Sequence, residues 1–279
     1  MIPTFNGAAH LGEQLEALTR QRRAPQFEVV VADNGSTDQT RAVAETFGDR
    51  LHLRIVDASA QRGQTFARNT GAATSSAQSL LFLDQDDVVA DDYVAQMHRA
   101  LEQHQFVAAR METDRLNAGW IARARDIAQT KGLGVEPAPW AYGCSLGIRR
   151  STFEQVGGFD PELRQAGEDV DLCWRLASAG VDLVFVPEAV LHYRFPTTKR
   201  AFFRQGRTYG RAAIAVDRRH ESRAQSPSAF SWLRSFAGAV RLALFARDQG
   251  SRARGLFLLG RRLGVLEGVT RRRLGRAPY

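Results

Sequence analysis

The sequence predicts an α/β protein in which a mixed sheet, largely parallel, is flanked by helices. Its first 90 residues alternate between β-rich segments and helix-like stretches. The β-rich segments are 27–33, 51–55 and 80–83, and the helix-like stretches are 8–20, 36–47 and 61–74. This alternation is typical of right-handed βαβ units, in which helices cover a nucleotide-binding sheet.

The strand predicted at residues 80–83 delivers acidic groups to one edge of the sheet. Its four apolar residues are continuous, as expected of a strand covered on both faces, and Asp84, Asp86 and Asp87 follow. Ligands of such sheets bind beyond the carboxyl ends of the strands, and crowded acids repel one another unless a cation lies among them. We therefore predict a nucleotide and metal site at Asp84 and Asp86. Acids here would also stabilise the following helix, and an Asp-x-Asp pattern alone does not separate the two interpretations.

Composition narrows the class of protein. The 279 residues, 44% of them hydrophobic, suit one large domain with an appendage. Two cysteines, Cys144 and Cys173, are too few for a disulfide framework. We find no secretion signal and no uncharged apolar run of membrane-spanning length, so we expect a cytoplasmic protein whose membrane contact is peripheral.

The charge is divided unevenly along the chain. Residues 1–196 carry 19 Lys and Arg against 26 Asp and Glu, whereas residues 197–279 carry 19 against 4. A basic tail on an acidic body predicts a negatively charged partner, either nucleic acid or an anionic membrane face. No nucleic-acid-binding motif is recognisable, so we do not expect a nucleic-acid partner.

A second pair of acids lies at the start of a later helix. Glu168 and Asp169 occupy the first turn of a helix predicted up to Gly180. Carboxylates at this position stabilise a helix by about 0.3–1 kcal/mol, which alone would account for them. A catalytic role would require an acceptor hydroxyl within hydrogen-bond reach. Residues 142–148 before this helix are predicted to form a strand whose small residues let a ligand approach.

Five motifs follow one another in a characteristic order. They are Pro3-Thr4-Phe5-Asn6, residues 31–38, Arg62-Gly63 with Ala67-Arg68-Asn69 and Gly71, residues 83–87, and residues 157–160 with 168–172. In this order, over residues 2 to about 195, they closely resemble the family-2 glycosyltransferases. The resemblance implies a GT-A fold, an inverting transfer from a nucleotide-activated sugar, and dependence on Mg²⁺ or Mn²⁺.

The resemblance implies roles for residues on the donor side. The nucleotide-binding residues would be Pro3, Thr4, Asn6, Asp33, Arg68, Asn69 and Asp84. Asp33 would bind the base, although it could instead cap Ser36, and Asp84 would contact the ribose. Asp86 would ligate the metal on the diphosphate, with His192 as a third ligand. A lone His is more often structural, and Arg68 could be an ordinary surface residue.

On the acceptor side, the resemblance implies three further groups of residues. Gly143, Cys144 and Ser145 would line the acceptor site, Asp169 would be the general base, and Glu168 would orient it or bind the acceptor. The acceptor would be a hydroxyl of a saccharide or a lipid-linked molecule in cell-envelope or surface-polysaccharide synthesis. A catalytically inactive relative that binds nucleotide sugars is the alternative.

Two regions depart from the family pattern. The family usually has a complete apolar strand before the Pro-Thr segment, and here only Ile2 corresponds to it, so we expect the true start to lie upstream or the strand to be short. The basic region 197–279 lies outside the shared motifs and forms a separate predicted domain after the catalytic domain of residues 1–196.

Region 197–279 contains two candidate amphipathic helices. One carries Leu233, Phe236, Val240 and Leu244 on a single face, and the other carries Leu256, Leu259, Leu263 and Leu266 among arginines. Helices of this kind suit the surface of an anionic membrane. Packing against the catalytic domain, with the arginines in solvent, is an equal alternative.

Overall fold

A computed structural model describes residues 1–117, 119–135, 138–220 and 229–274, without the side chains of 229–231 and 272. The chain divides into two compact units. The first comprises Met1–Glu112, Ala128–Arg164 and Glu168–Tyr193, and the second comprises Thr113–Ile127, Gln165–Gly167 and Arg194–Tyr279. The sequence placed a boundary after residue 196, and the second unit additionally takes two short segments from earlier in the chain.

The first unit is the α/β body that the sequence predicts. Its strands are β1 (Ile2–Thr4), β2 (Val29–Asp33), β3 (Leu53–Asp57), β4 (Ser79–Leu81), β5 (Val88–Val89), β6 (Phe106–Glu112), β7 (Leu146–Arg149) and β8 (Leu183–His192). Its helices are α1 (Leu11–Thr19), α2 (Thr40–Glu45), α3 (Gln64–Thr74), α4 (Tyr93–Gln103), α5 (Arg150–Gln155) and α6 (Glu168–Ser178). Short 3₁₀ turns occur at Ala128–Thr130 and Gly143–Ser145.

The strands form two ladders that join at the end of β4. One is parallel, in the order β1-β2-β3, and the other is mixed, in the order β4-β7-β6-β8-β5. Met1 N donates to Leu81 O at 2.9 Å, and Leu83 N donates to Met1 O at 3.0 Å, which is the pattern of a parallel pair. The carboxyl ends of β1, β2 and β4 therefore lie along one edge.

Burial explains which residues form these elements. All five residues of β2 are buried, as a strand covered on both faces requires. Leu11, Leu15 and Leu18 form the buried stripe of α1. The strand predicted at 80–83 is shorter as β4, but Phe82 N donates to Leu146 O at 2.9 Å, so the extended backbone continues to the acidic segment.

The prediction of a strand over residues 142–148 is wrong for its first half. Gly143–Ser145 is a 3₁₀ turn, and β7 begins only at Leu146. Ser145 bonds back to the carbonyl oxygen of Tyr142 through both its backbone N–H, at 3.0 Å, and its hydroxyl, at 2.8 Å. These local bonds close a turn at the point where small residues were expected to extend the strand.

The second unit is helical in its C-terminal part, with α7 (Lys199–Arg219), α8 (Ala229–Phe245) and α9 (Gln249–Arg273). Helices α7 and α9 run parallel with their backbones in close approach. A Cβ on Gly206 would overlap the Phe257 carbonyl oxygen, and one on Gly264 would overlap that of Arg207. Within the described ranges, none of the helices combines the length and apolar character needed to cross a bilayer.

Candidate active site

The carboxyl ends of β1, β2 and β4 line a cleft of about 270 Å³. Its walls are formed by Pro3, Thr4, Phe5, Asn34, Gln64, Ala67, Asp84, Gln85 and Asp86. Four residues predicted to serve the donor, namely Pro3, Thr4, Asp84 and Asp86, thus share one hollow although up to 83 positions separate them in the chain. Adjacent strand ends bring them together.

Two asparagines shape the rim of the cleft by fixing loops. The side-chain oxygen of Asn6 accepts from Thr37 N at 2.8 Å, and the backbone of Asn6 adopts a φ of 49°. The side chain of Asn34 accepts from Gly63 N at 2.8 Å and donates to Gln61 O at 2.8 Å. Asn6 holds a neighbouring loop and is not among the lining residues. Asn34 received no role from the sequence, because its partners lie far away in the chain.

Asp33 is buried at the end of β2. Its Oδ1 accepts from Ser36 N at 2.9 Å, and Oδ2 lies 3.5 Å from Arg41 Nη1. This geometry is the Ser36 cap that the sequence offered as the alternative to base binding. The nucleotide role of Asp33 stays a prediction.

The side chain of Phe5 lies at the mouth of the cleft. Its backbone is held by Gln85, whose Oε1 accepts from Phe5 N at 3.0 Å and whose Nε2 donates to Phe5 O at 3.3 Å. The Arg62 guanidinium lies 4.7 Å from the centre of the Phe5 ring, and the residue is 45% exposed. An exposed ring with a cation over one face is placed beside Asp84 and Asp86.

Arg68 connects Asp84 in the cleft with the acidic residues at the start of α6. Its Nη2 donates to Asp84 Oδ1 at 2.8 Å, and its Nη1 donates to Glu168 Oε1 at 2.7 Å. Arg68 is 1% exposed, so the surface alternative for this residue is wrong. Burial opposes its charge, but Asp84, Glu168 and Asp169 outweigh that effect and raise the pKa of Arg68. The charge of Arg68 therefore interacts with Asp84 in the cleft and with Glu168 and Asp169 of α6 at the same time.

Glu168 and Asp169 lie in an environment that raises the pKa of both carboxyl groups. Burial, and then the charge of Asp169, raise the pKa of Glu168 to about 7 despite the opposing effect of Arg68. Burial also raises the pKa of Asp169, against Arg68 and the backbone donors. Asp169 Oδ2 accepts from Gly143 N at 3.0 Å, and its Oδ1 accepts from Val170 N at 2.8 Å. Glu168 is buried, whereas Asp169 is partly exposed and can meet a ligand.

Gly143 is required by close contact with Arg68. A Cβ at this position would lie 2.6 Å from Arg68 Nη1 and 2.9 Å from Nη2. Of the three predicted acceptor residues, Gly143 contacts Asp169, because its backbone N–H donates to the Asp169 carboxylate. Cys144 is buried beside Asp87, and the Ser145 hydroxyl accepts a bond from Gln129, so both side chains are directed into the protein.

The side chain of Asn69 is hydrogen-bonded to the backbone of Phe159. Its Nδ2 donates to Phe159 O at 2.7 Å, and its Oδ1 accepts from Phe159 N at 3.0 Å. The Phe159 ring in turn lies 5.3 Å from the Arg68 guanidinium. The motif Arg68-Asn69 therefore places Asn69 behind the site, where it fixes the segment on which Arg68 rests.

The carboxylates at the cleft are ligands of the kind that divalent cations bind. Among the described residues, one group of three candidate ligands has donor atoms within 4.8 Å of one another, namely Asp84, Asp87 and Cys144. Burial, followed by Asp87 and Asp84, raises the pKa of Cys144 far above its ordinary value, so the thiol stays protonated. Mg²⁺ and Mn²⁺ prefer oxygen ligands. The carboxylates of Asp84 and Asp87 suit such a cation, whereas the buried thiol does not. Asp86 lines the cleft with Asp84, and its role as a metal ligand stays a prediction.

His192 lies at the end of β8 with a carboxylate partner. Its Nδ1 is 2.6 Å from Glu112 Oε2, and in the sheet it pairs with Val88, two residues beyond Asp86. A carboxylate on one ring nitrogen is the arrangement that orients metal-binding histidines, and it is also found in purely structural ion pairs. His192 as a ligand stays a prediction.

Comparison with known proteins defines the family. The chain matches the family described as Glycosyl transferase family 2 over residues 1–159. It therefore belongs to glycosyl transferase family 2. It is 28% identical over 230 residues to a pre-mycofactocin glycosyltransferase of Mycobacterium tuberculosis, covering 79% of this chain and 47% of the relative. It is 30% identical over 230 residues to validoxylamine A glucosyltransferase of Streptomyces hygroscopicus subsp. limoneus, covering 68% and 49%. The chain spans about half the length of these curated relatives.

A solved structure confirms the fold. The mannosyltransferase PcManGT from Pyrobaculum calidifontis, determined with GDP-Man and Mn²⁺, superposes with a TM-score of 0.69 at 18% identity. The match covers 96% of this chain and 85% of that one. The predicted GT-A fold, with its mixed sheet and flanking helices, is thereby confirmed.

Proposed function

We propose that this protein is an inverting glycosyltransferase that moves a sugar from a nucleoside diphosphate sugar to a hydroxyl group. The observation that carries the proposal is the Arg68 bridge, which connects Asp84 in the cleft with Glu168 beside Asp169. A donor site and a candidate base thus lie within the reach of one guanidinium. The family and the GT-A fold support the same activity.

In this mechanism the oxygen of the acceptor hydroxyl attacks the anomeric carbon of the donor sugar, and Asp169 removes the proton of that hydroxyl. The nucleoside diphosphate leaves from the opposite face, so the configuration inverts. The N–H groups of Gly143 and Val170 hold the Asp169 carboxylate in position. Glu168 lies beside the base and keeps Arg68 oriented through their hydrogen bond. A positioned general base contributes about 10²–10⁴ in rate.

A divalent cation, Mg²⁺ or Mn²⁺, would be held by Asp86 with Asp84 beside it and His192 as a further ligand. When bound, such an ion acts as a Lewis acid on the diphosphate and neutralises charge on the leaving group. The cleft residues Pro3 and Thr4 would contact the nucleotide, and Asp33 would recognise the base. The exposed Phe5 ring, held by Gln85, offers an apolar wall next to these acids.

The acceptor is proposed to be a saccharide or a lipid-linked molecule used in cell-envelope or surface-polysaccharide synthesis. The protein would act in the cytoplasm, as expected for an enzyme that uses nucleotide-activated sugars. The family resemblance supports the class of acceptor, and the small number of cysteines supports the cytoplasm. The donor and the linkage depend on the shape of the pocket.

The activity can be tested with a panel of UDP-, dTDP- and GDP-sugars in the presence of MnCl₂. Release of the nucleoside diphosphate, measured with and without saccharide acceptors, is the readout. We expect release from one class of donor and its loss on chelation with EDTA. Binding of a donor without any release or transfer would instead identify an inactive sugar-nucleotide-binding relative.

A further inference from the structure

Helix α8 of the second unit carries an apolar face that other described residues leave open. Leu233, Leu244 and Phe245 are 59%, 63% and 75% exposed. Leu233, Val240 and Leu244 follow helical spacing and form a stripe along one side, and Phe245 follows Leu244 at the C-terminal end of the helix. We call Leu233, Val240, Leu244 and Phe245, with Arg234 and Arg241, the α8 outer face.

A different side of α8 packs against α9. Ala239 is 2% exposed, and a Cβ on Gly255 of α9 would overlap the backbone nitrogen of Ala243. Small residues thus bring α8 close to α9, whereas Leu233, Leu244 and Phe245 stay exposed. Isolated exposed apolar residues are ordinary, but a stripe of them on one helix marks an interaction surface.

Charge identifies the kind of partner. Arg234 and Arg241 are exposed and lie seven positions apart, so they flank the stripe on the same side. No ion pair among the described residues includes either of them, whereas Arg207 of α7 and Arg254 of α9 contact Glu267 and Asp126. Helix α8 has no acidic residue, and region 197–279 has 19 basic against 4 acidic residues.

We propose that the α8 outer face docks on the surface of an anionic lipid bilayer, with the apolar stripe among the acyl chains and Arg234 and Arg241 at the phosphates. An amphipathic helix with arginine beside leucine and phenylalanine has the chemistry for this interface. A shallow hollow of about 670 Å³, lined by Phe236, Ala237, Val240, Arg241 and Phe245, offers an apolar wall beside a cation.

Two other occupants fit less well. A second copy of the chain would bring two strongly basic surfaces together, and their repulsion opposes association. Nucleic acid phosphates would pair with the arginines, but they would not bury the apolar side chains of the stripe. A lipid surface satisfies both features. The proposal depends on exposure and charge in the second unit and not on the transfer reaction.

The test is co-sedimentation of the whole protein with vesicles, either of phosphatidylcholine alone or of phosphatidylcholine with 30% phosphatidylglycerol. We expect binding to the anionic vesicles only. The double substitution Leu244→Ser/Phe245→Ser should lower the partition coefficient by at least about tenfold, because two exposed apolar side chains no longer enter the bilayer. Arg234→Gln/Arg241→Gln should lower it by about tenfold on anionic vesicles.

The matched control is Val135→Ser, which removes an equally exposed apolar side chain, 70% exposed, from the first unit. It should bind as the unsubstituted protein does. Because all substituted side chains are exposed, thermal unfolding should confirm that every variant folds. Absence of binding to anionic vesicles, or equal binding by Leu244→Ser/Phe245→Ser, would overturn the proposal. So would sedimentation velocity showing a dimer that this double substitution dissociates.

Discussion

Arg68 and Glu168 lie 100 positions apart in the chain, and Nη1 of the arginine contacts Oε1 of the glutamate at 2.7 Å. Both side chains are buried, at 1% and 6% exposure. Since the other guanidinium nitrogen contacts Asp84, this pair links the α6 acids to the cleft. The proposed chemistry depends on this link.

Replacing Arg68 by Gln should destabilise the fold strongly. The substitution leaves Glu168 and Asp84 without their cation, and breaking a buried ion pair costs about 3–5 kcal/mol. Urea unfolding followed by circular dichroism measures the loss. Arg50→Gln is the control, because Arg50 and Glu16 form an exposed pair that contributes little to stability. Equal losses in the two variants would contradict the assignment of Arg68.

The raised pKa of Glu168 should make stability depend on pH. Its carboxyl ionises at about 4.5 in the unfolded chain and at about 7 in the folded protein. Between these values the folded state holds a proton that the unfolded state has lost, so stability falls as pH rises, by up to about 1.4 kcal/mol per unit. Glu168→Gln removes the ionisation and should flatten the unfolding free energy between pH 4.5 and 7.

Glu16→Gln provides the control for this pH dependence. The hydrogen bond from Arg50 lowers the pKa of Glu16, so its stabilisation is present above its ordinary pKa of 4.5 and is lost as pH falls below it. Replacing Glu16 should therefore leave the slope between pH 4.5 and 7 unchanged. A wild-type slope that survives in Glu168→Gln would show that another group causes it.

Two glycines in the helices of the second unit should respond in opposite directions to the same substitution. Gly264→Ala places a methyl group against the Arg207 carbonyl oxygen and forces α7 and α9 apart, at a cost of about 1–3 kcal/mol. Gly238→Ala meets no atom within 4 Å and should stabilise α8 by about 1 kcal/mol through helix propensity. Thermal unfolding compares them, and stabilisation by Gly264→Ala would contradict the packing described for α7 and α9.

Asp86→Ala should remove the metal-dependent part of nucleotide binding. Calorimetric titration of UDP and of GDP, with and without MnCl₂, should show that Mn²⁺ strengthens binding to the unsubstituted protein but not to this variant. Asp49→Ala changes an exposed acid outside the cleft and should behave as wild type. An undiminished effect of Mn²⁺ in Asp86→Ala would exclude this residue from the metal site.

The sequence predicted the strands better than the contacts between them. Apolar runs and their acidic ends are local features, so β2, β4 and the position of Asp84 could be read from the chain. Helix α7 was not predicted, because its buried side is made mostly of glycine and alanine, which give little hydrophobic signal in the sequence. The small residues of α7 allow close packing only against α9, whose glycines lie more than 50 positions later in the chain.

The same limit applies to the site. Five motifs in order predicted the fold and placed Pro3, Thr4, Asp84 and Asp86 at one cleft. The burial of Arg68 could not be predicted, because it depends on Phe159, Gly143 and Glu168 arriving from three distant segments. Asn69 follows Arg68 in its motif but faces the Phe159 backbone, and no local pattern distinguishes the two orientations.

The most direct test of the account compares turnover and donor binding in Asp169→Asn, using the donor identified in the panel and Asp182→Asn as an exposed-acid control. If Asp169 is the base, kcat should fall by about 10²–10⁴, while the Kd for the nucleoside diphosphate with MnCl₂ stays within about twofold of wild type. A kcat close to that of wild type, or a parallel loss of nucleotide affinity, would contradict the proposed mechanism.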